Sequence, residues 1–282
     1  MKQTSVKRNT LLHPNPVMNR VTTVNETAEK DAAASYTGIT IKTGYFLLMT
    51  VVGMVIYIFA QTKWFQHQEQ ISGLKYQGFA FSLSGPQAIT ILGASIVAII
   101  FQLIASFAPK SIPVSGTLYS MAQGMIISGI IFTVLGGENH MEYLGLLALV
   151  ITIVVVFTMA ILYTKGIIKV NNKFRMVLMT LLLSMLGISL ITLICSFIPG
   201  VNTFVSRILG NFWVSIILTL ISIVMSTLLL VSEFDVMEQA VEQKMPVKYE
   251  WNVAFGLSFA ILWIYIKILE FIIRIAGRGQ DK

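Results

Sequence analysis

"YLGLLALVITIVVVFTMAILYTKGIIKVNNKFRMVLM", residues 143–179, decides the class of fold. From Tyr143 to Thr164 no side chain is charged, and the run is long enough to cross a hydrocarbon layer of about 30 Å as a helix. A bilayer core offers the backbone no hydrogen-bond partners, so such a run crosses it as an α-helix. The loop that follows, "KGIIKVNNKFR", is basic and leads straight into a second apolar run. Helix, basic turn and returning helix form the repeating unit of a polytopic membrane protein.

The same pattern extends in both directions. Apolar runs of about 20 residues, the length a bilayer requires, cover residues 42–61, 88–108, 117–136, 144–164, 176–198, 211–233 and 252–275. Breaks between them carry turn formers: "SGPQ", "APKSIP", "GGENH" and "IPG". Pro109 and Pro113 link the second and third runs closely enough to predict an antiparallel hairpin. The 61–87 connection is longer, and its "KWFQHQEQISGLKY" carries aromatics suited to a membrane interface. Of 282 residues 55% are hydrophobic and 12% charged, against roughly a quarter charged in soluble domains. Solid apolar runs, rather than short alternating segments, exclude a transmembrane β-barrel.

The expectation is therefore an all-α integral membrane protein of seven transmembrane helices. Residues 1–41 read as a cytosolic, largely disordered tail, 42–276 as the membrane domain and 277–282 as a short C-terminal tail. The start "MKQTSVKRNT" leads into polar sequence and not into the apolar core of a secretory signal. No repeat suggests an inverted-repeat transporter.

Basic residues set the orientation. A cytosolic N-terminus places Lys2, Lys7, Arg8, Arg20, Lys30, Lys42, Lys110, Lys165, Lys169, Lys173, Arg175, Lys244 and Lys248 inside. Lys63, Lys75, Arg207, Arg274, Arg278 and Lys282 then face outward. This bias predicts N-in and C-out in the cell membrane. The net charge of +7 comes from these flanking residues and does not imply nucleic-acid binding.

Acidic residues are scarce where transport chemistry would need them. Between Gly44 and Val231 they are Glu69, Glu138 and Glu142, all in connections. A proton pump or ion-coupled transporter needs a carboxylate within the membrane, so both readings are disfavoured. Acids concentrate in "SEFDVMEQAVEQKMPVKYEW", where Glu238 and Glu242 read as a solvated helical extension and Asp235 lies at the apolar boundary. In the last run Lys267, Glu270 and Arg274 stand at i, i+3 and i+7, on one helical face. Two readings of them remain: a buried ladder of ion pairs, or long side chains snorkelling to the outer interface. Gln123 lies well inside the third run, where an interhelical hydrogen bond is expected, with Gly124 and Ser128 allowing close approach. His13, His67 and His140 are scattered and suggest no metal site, and the lone Cys195 cannot form an intramolecular disulfide. No phosphate loop, nucleophile elbow or zinc motif is present, so neither a cofactor nor enzymatic chemistry is expected.

Three stretches resemble one family. "HPNPVMNR" near the start is similar to the opening of bacterial Bax inhibitor-1-like proteins. "FAPKSIPVSGTLYSMAQG" follows that family's pattern between spans two and three. "EFDVMEQAVEQKMPVKYEWNVAFGLSFAILWIYIKILE" resembles its acidic helix-six end and last helix. The resemblance implies seven helices with the last one central. It also implies a role in pH-sensitive calcium leak or, in bacteria, in modulating membrane proteases. In calcium-leak members an acid at the end of helix six faces an acid of the last helix. The resemblance places the first on Asp235 and the second on Lys267, and Gln123 stands where members often carry Glu.

That departure has a chemical consequence. Two close carboxylates share a proton and so sense pH, whereas an acid opposite a base forms a fixed ion pair. The expectation is a non-enzymatic cation leak with altered or lost pH sensing, in which Asp235, Lys267, Glu270 and Gln123 form the pathway or sensor, Glu270 being a substitute second acid. The alternative is a regulator that binds a membrane protease or another integral partner without conduction. Helix rise adds a condition. If the last turn is centred on Pro246 rather than nearer Trp251, Lys267 lies deeper than Asp235 and the two do not meet.

Overall fold

The computed structural model describes residues 33–60, 75–78, 81–132, 143–196 and 211–278. The N-terminal segment through residue 32, the start of the 61–87 connection, and the "GGENH" and "IPG" breaks lie outside the described residues. The described chain is helical. It comprises α1 (Tyr36–Ala60), α2 (Gly85–Phe107), α3 (Ile112–Ile130), α4 (Tyr143–Thr164), α5 (Asn172–Ser196), α6 (Phe212–Glu242) and α7 (Glu250–Arg278). Between α1 and α2 a two-stranded antiparallel ribbon pairs β1 (Lys75–Gly78) with β2 (Phe81–Ser84).

Six of these helices are long and apolar enough to cross a membrane; α3 is the exception. Its sequence, IPVSGTLYSMAQGMIISGI, replaces large apolar residues with Ser, Thr and Gly. Those small residues let it approach α1 and α2 closely. A Cβ on Gly124 would overlap the carbonyl oxygen of Thr50, and one on Gly53 would overlap that of Met121. On the other flank Gly129 lies beneath Ile91 of α2, and Gly116 seats the rings of Phe46 and Phe255.

Local chemistry sets several helix ends. Ser35 caps α1 by accepting the Gly38 N–H at 3.0 Å. Asn171 caps α5, accepting the Phe174 N–H at 2.7 Å, and Asn211 caps α6. α4 ends with Gly166 at φ 66°, where the Ile167 N–H reaches back to the Leu162 carbonyl at 3.0 Å. α6 closes the same way with Lys244 at φ 51° and Met245 donating to Ala240 at 3.0 Å. Two helices exceed their expected bounds by the widest margins. α1 begins at Tyr36, so the helix takes in part of the segment expected as tail. α6 runs to Glu242, which carries the acids of "SEFDVMEQAVE" on the helix itself.

α7 packs against α1, α3, α4 and α6. Its rings join those of α1 and α3: Phe255 meets Phe46 at 5.7 Å and Tyr119 at 5.4 Å, both edge-on. Ile264 and Ala260 are fully buried, and Tyr265 donates to the Gly145 carbonyl of α4 at 3.3 Å. The outward faces of α2, α4 and α5 expose Ile89, Phe107, Leu146, Phe157, Met176 and Leu183, an apolar surface suited to lipid.

Gly124→Ala forces a methyl group into the α1 backbone, and it is expected to lower stability by about 2–3 kcal/mol. Gly93, whose Cβ would meet nothing within 4 Å, is the control: Gly93→Ala should be neutral or slightly stabilising. Thermal unfolding in detergent checks the pair. Equal midpoints for the two variants would contradict the close α1–α3 approach.

Candidate functional site

The acids of α6 come together with basic residues at the end of the bundle where α1, α3, α5 and α7 begin. Asp235 accepts from the Arg175 guanidinium and from Gln239 Nε2, the latter at 2.8 Å. Arg175 stands in the first turn of α5. A cation is unfavourable there against the helix dipole, and the Asp235 carboxylate compensates it. One turn further along α6, Glu238 accepts from the hydroxyl of Tyr163 at the end of α4.

A second ion pair closes the start of α7. Glu250 is 3% exposed, and its carboxylate takes the Lys42 ammonium of α1 together with the N–H of Ser35 at 2.8 Å. Lys42 also lies 5.3 Å from the centre of the Trp251 ring. Just before α1, Ala34 donates to the Met245 carbonyl at 2.7 Å, so this segment docks on the turn between α6 and α7. These contacts join α1, α4, α5, α6 and α7 through one polar layer.

The charged ladder of α7 lies toward the opposite end. Lys267 Nζ donates to Glu270 Oε2 at 2.8 Å, and Arg274 Nη2 to Glu270 Oε1 at 2.6 Å. Arg274 also donates to Ser215 in the first turn of α6. Glu270 thus neutralises two bases of its own helix, and the group reaches one neighbouring hydroxyl.

The expected partnership of Asp235 with Lys267 is not formed. Glu233 of α6 rests against Gly256 of α7, and Ser215 meets Arg274, so both contacts define one antiparallel register. In that register Asp235 is level with Ala254, about 20 Å along the axis from Lys267. The reason is the turn. α6 ends at Glu242 and α7 begins at Glu250, which centres the reversal on Pro246. Glu270 lies further still from Asp235 and is engaged by its own bases. Gln123 also differs from expectation: its Nε2 donates at 3.1 Å to the Tyr119 hydroxyl of the same helix, not across helices. Among the described residues no three His, Cys, Asp or Glu side chains are grouped to hold a metal ion.

Helix order, the tight second-to-third connection and the acidic end of α6 together suit one family. A profile of the family described as "Bax inhibitor 1 like" matches residues 15–277. The chain belongs to the Bax inhibitor 1-like family. No curated protein and no solved structure matches it. Within this Bax inhibitor 1-like chain, the sequence marks Asp235 as an acid at an apolar boundary and Arg175 as one of the basic residues of a loop. The cap at Asn171, which starts α5 four residues before Arg175, was the available signal. Glu238, expected in solvent, is a hydrogen-bond acceptor for α4 instead, while Glu242 is exposed as expected.

A double-mutant cycle separates the two pairings. Asp235→Asn and Arg175→Gln should each destabilise the protein in detergent, with a coupling of about 1–2 kcal/mol. Asp235→Asn and Lys267→Met should add within about 0.5 kcal/mol. Coupling in the second cycle and additivity in the first would reverse the assignment.

Proposed function

We propose that this Bax inhibitor 1-like protein is a non-enzymatic, slow cation leak of the cell membrane, held closed by the Arg175–Asp235 ion pair. Calcium is the cation that the family resemblance suggests. In this reading α3 crosses the bilayer with the six longer or more apolar helices, giving seven spans around a central α7. The small residues of α3 suit a buried span better than a lipid-facing one. The N-terminus is then cytosolic and the C-terminus outside, since Lys42, Lys110, Lys165, Lys169, Lys173, Arg175, Lys244 and Lys248 lie at one end.

One observation carries the mechanism. Asp235, the residue matched to the family's first acid, is engaged by a guanidinium and an amide, with Lys267 far along the axis. An arginine stays charged at every physiological pH. A carboxylate opposite it has no proton to share, whereas two facing carboxylates exchange one and respond to pH. The ion pair bridges α5 and α6, so it restrains the helix that makes the fewest contacts with the rest of the bundle. Breaking it frees α5 to move at this end.

Calcium flux into liposomes tests the proposal. Arg175→Gln should raise the flux severalfold over wild type, by a similar factor at every pH from 6 to 8. Lys267→Asp should not create a proton-sharing pair with Asp235, because the two positions are about 20 Å apart. Absence of flux from every variant would contradict the leak and favour the partner-binding regulator. An Arg175→Gln effect confined to acidic pH would contradict the ion-pair closure.

A further inference from the structure

α7 is buried around most of its circumference, with Ala260, Ile264 and Ile268 closed off by its neighbours. One stripe stays part-exposed. Phe259, Trp263, Ile266, Glu270 and Arg274 follow one another at steps of three or four residues, the spacing of a single helical face, with Lys267 beside Ile266. Toward the middle of the helix the stripe is apolar, and the rings of Phe259 and Trp263 lie 6.0 Å apart. Toward the C-terminal end it is charged.

Helix rise sets the depth of these charges. Glu250 lies in the polar layer at the basic end of the bundle, and Glu270 stands about 30 Å further along α7. That is the thickness of a hydrocarbon core. Lys267, Glu270 and Arg274 therefore straddle the opposite boundary of the membrane. Trp213, exposed in the first turn of α6 at the level of Arg274, suits the same interface. The cluster carries two positive charges against one negative. Lys267 Nζ has three N–H bonds and, among the described residues, gives one of them to Glu270. The side chains of Lys267 and Arg274 are 24% and 37% exposed, so both cations remain reachable. A surplus positive charge at the edge of hydrocarbon is costly, and one phosphodiester anion would neutralise it.

We propose that this stripe binds one anionic phospholipid of the leaflet at that end. Lys267 and Arg274 hold its phosphodiester, and an acyl chain lies along Trp263 and Phe259. The order of the stripe matches that of the ligand, with charge at the boundary and apolar rings beneath it. A zwitterionic phospholipid brings its own ammonium and cannot neutralise the cluster, while free phosphate has no chain for the rings. The site does not depend on the leak reading, which concerns the other end of the bundle. With the C-terminus outside, the leaflet is the outer one.

Native mass spectrometry tests the site, using full-length protein released from mixed micelles with equal amounts of phosphatidylglycerol and phosphatidylcholine. The wild type should retain one phosphatidylglycerol per chain, in severalfold preference over phosphatidylcholine. Lys267→Gln should abolish the preference, and Lys165→Gln at the basic end should keep it. Equal retention of the two lipids by the wild type, or an equal loss in both variants, would overturn the proposal. Tryptophan fluorescence gives a second readout should Lys267→Gln fold poorly. Phosphatidylglycerol with brominated acyl chains should quench the wild type more than brominated phosphatidylcholine does, and Trp263→Phe should remove the difference. No difference in the wild type, or one that persists in Trp263→Phe, would put any bound lipid elsewhere and overturn the proposal. Millimolar inorganic phosphate should leave the bound lipid in place. If phosphate displaces it, the cluster recognises the anion without a chain and the lipid assignment falls.

Discussion

The register of α6 against α7 governs which charges of this protein can meet. It is held at two places, by Glu233 on Gly256 and by Arg274 on Ser215, about 27 Å apart along the pair. Because both contacts agree, the helices cannot slide by a turn without losing one of them. That places Asp235 among the first residues of α7 and within reach of α5, while Lys267 is left deep along the pair. In a low-dielectric setting an unmatched charge is expensive, so each takes the nearest available partner. Asp235 takes Arg175, Glu250 takes Lys42, and Glu270 takes both bases on its own helix. The polar layer at the basic end is thus a consequence of helix register.

Packing elsewhere rests on a different economy. Lipid is as apolar as leucine, so burial of side chains alone does little to bring membrane helices together. The chain relies on close approach instead. Gly53 and Gly124 allow α1 and α3 to touch backbone to backbone, and Gly116 admits Phe46 and Phe255. Large residues are then spent on outward faces. The same choice is why α3 falls outside the six described helices that are apolar enough to span by composition alone.

Much of this fold was readable from length and composition. Each apolar run became a helix, because a run of that size has few other ways to satisfy its backbone in lipid. Helix ends were less readable. α1 starts among Tyr36, Thr37 and Gly38, residues that look like tail until Ser35 is seen capping them and Glu250 holding Ser35. α6 runs on through charged residues because those charges find partners on α4 and α5. The site was half readable. Asp235 stood out as an acid at an apolar boundary, but its partner lies 60 residues earlier in the chain and is set by how α5 leans on α6.

The central claim is that Asp235 is closed by an arginine of α5 and not by the lysine of α7. Solid-state NMR on protein in bilayers measures this with the native side chains in place. Asp31 and Asp281 are replaced by Asn, leaving Asp235 as the one aspartate, with its carboxyl carbon labelled. Arginine or lysine side-chain nitrogens are labelled in turn. Strong dipolar dephasing from arginine, lost in Arg175→Gln, with none from lysine, is the predicted result. Dephasing from lysine that disappears in Lys267→Met would contradict the account.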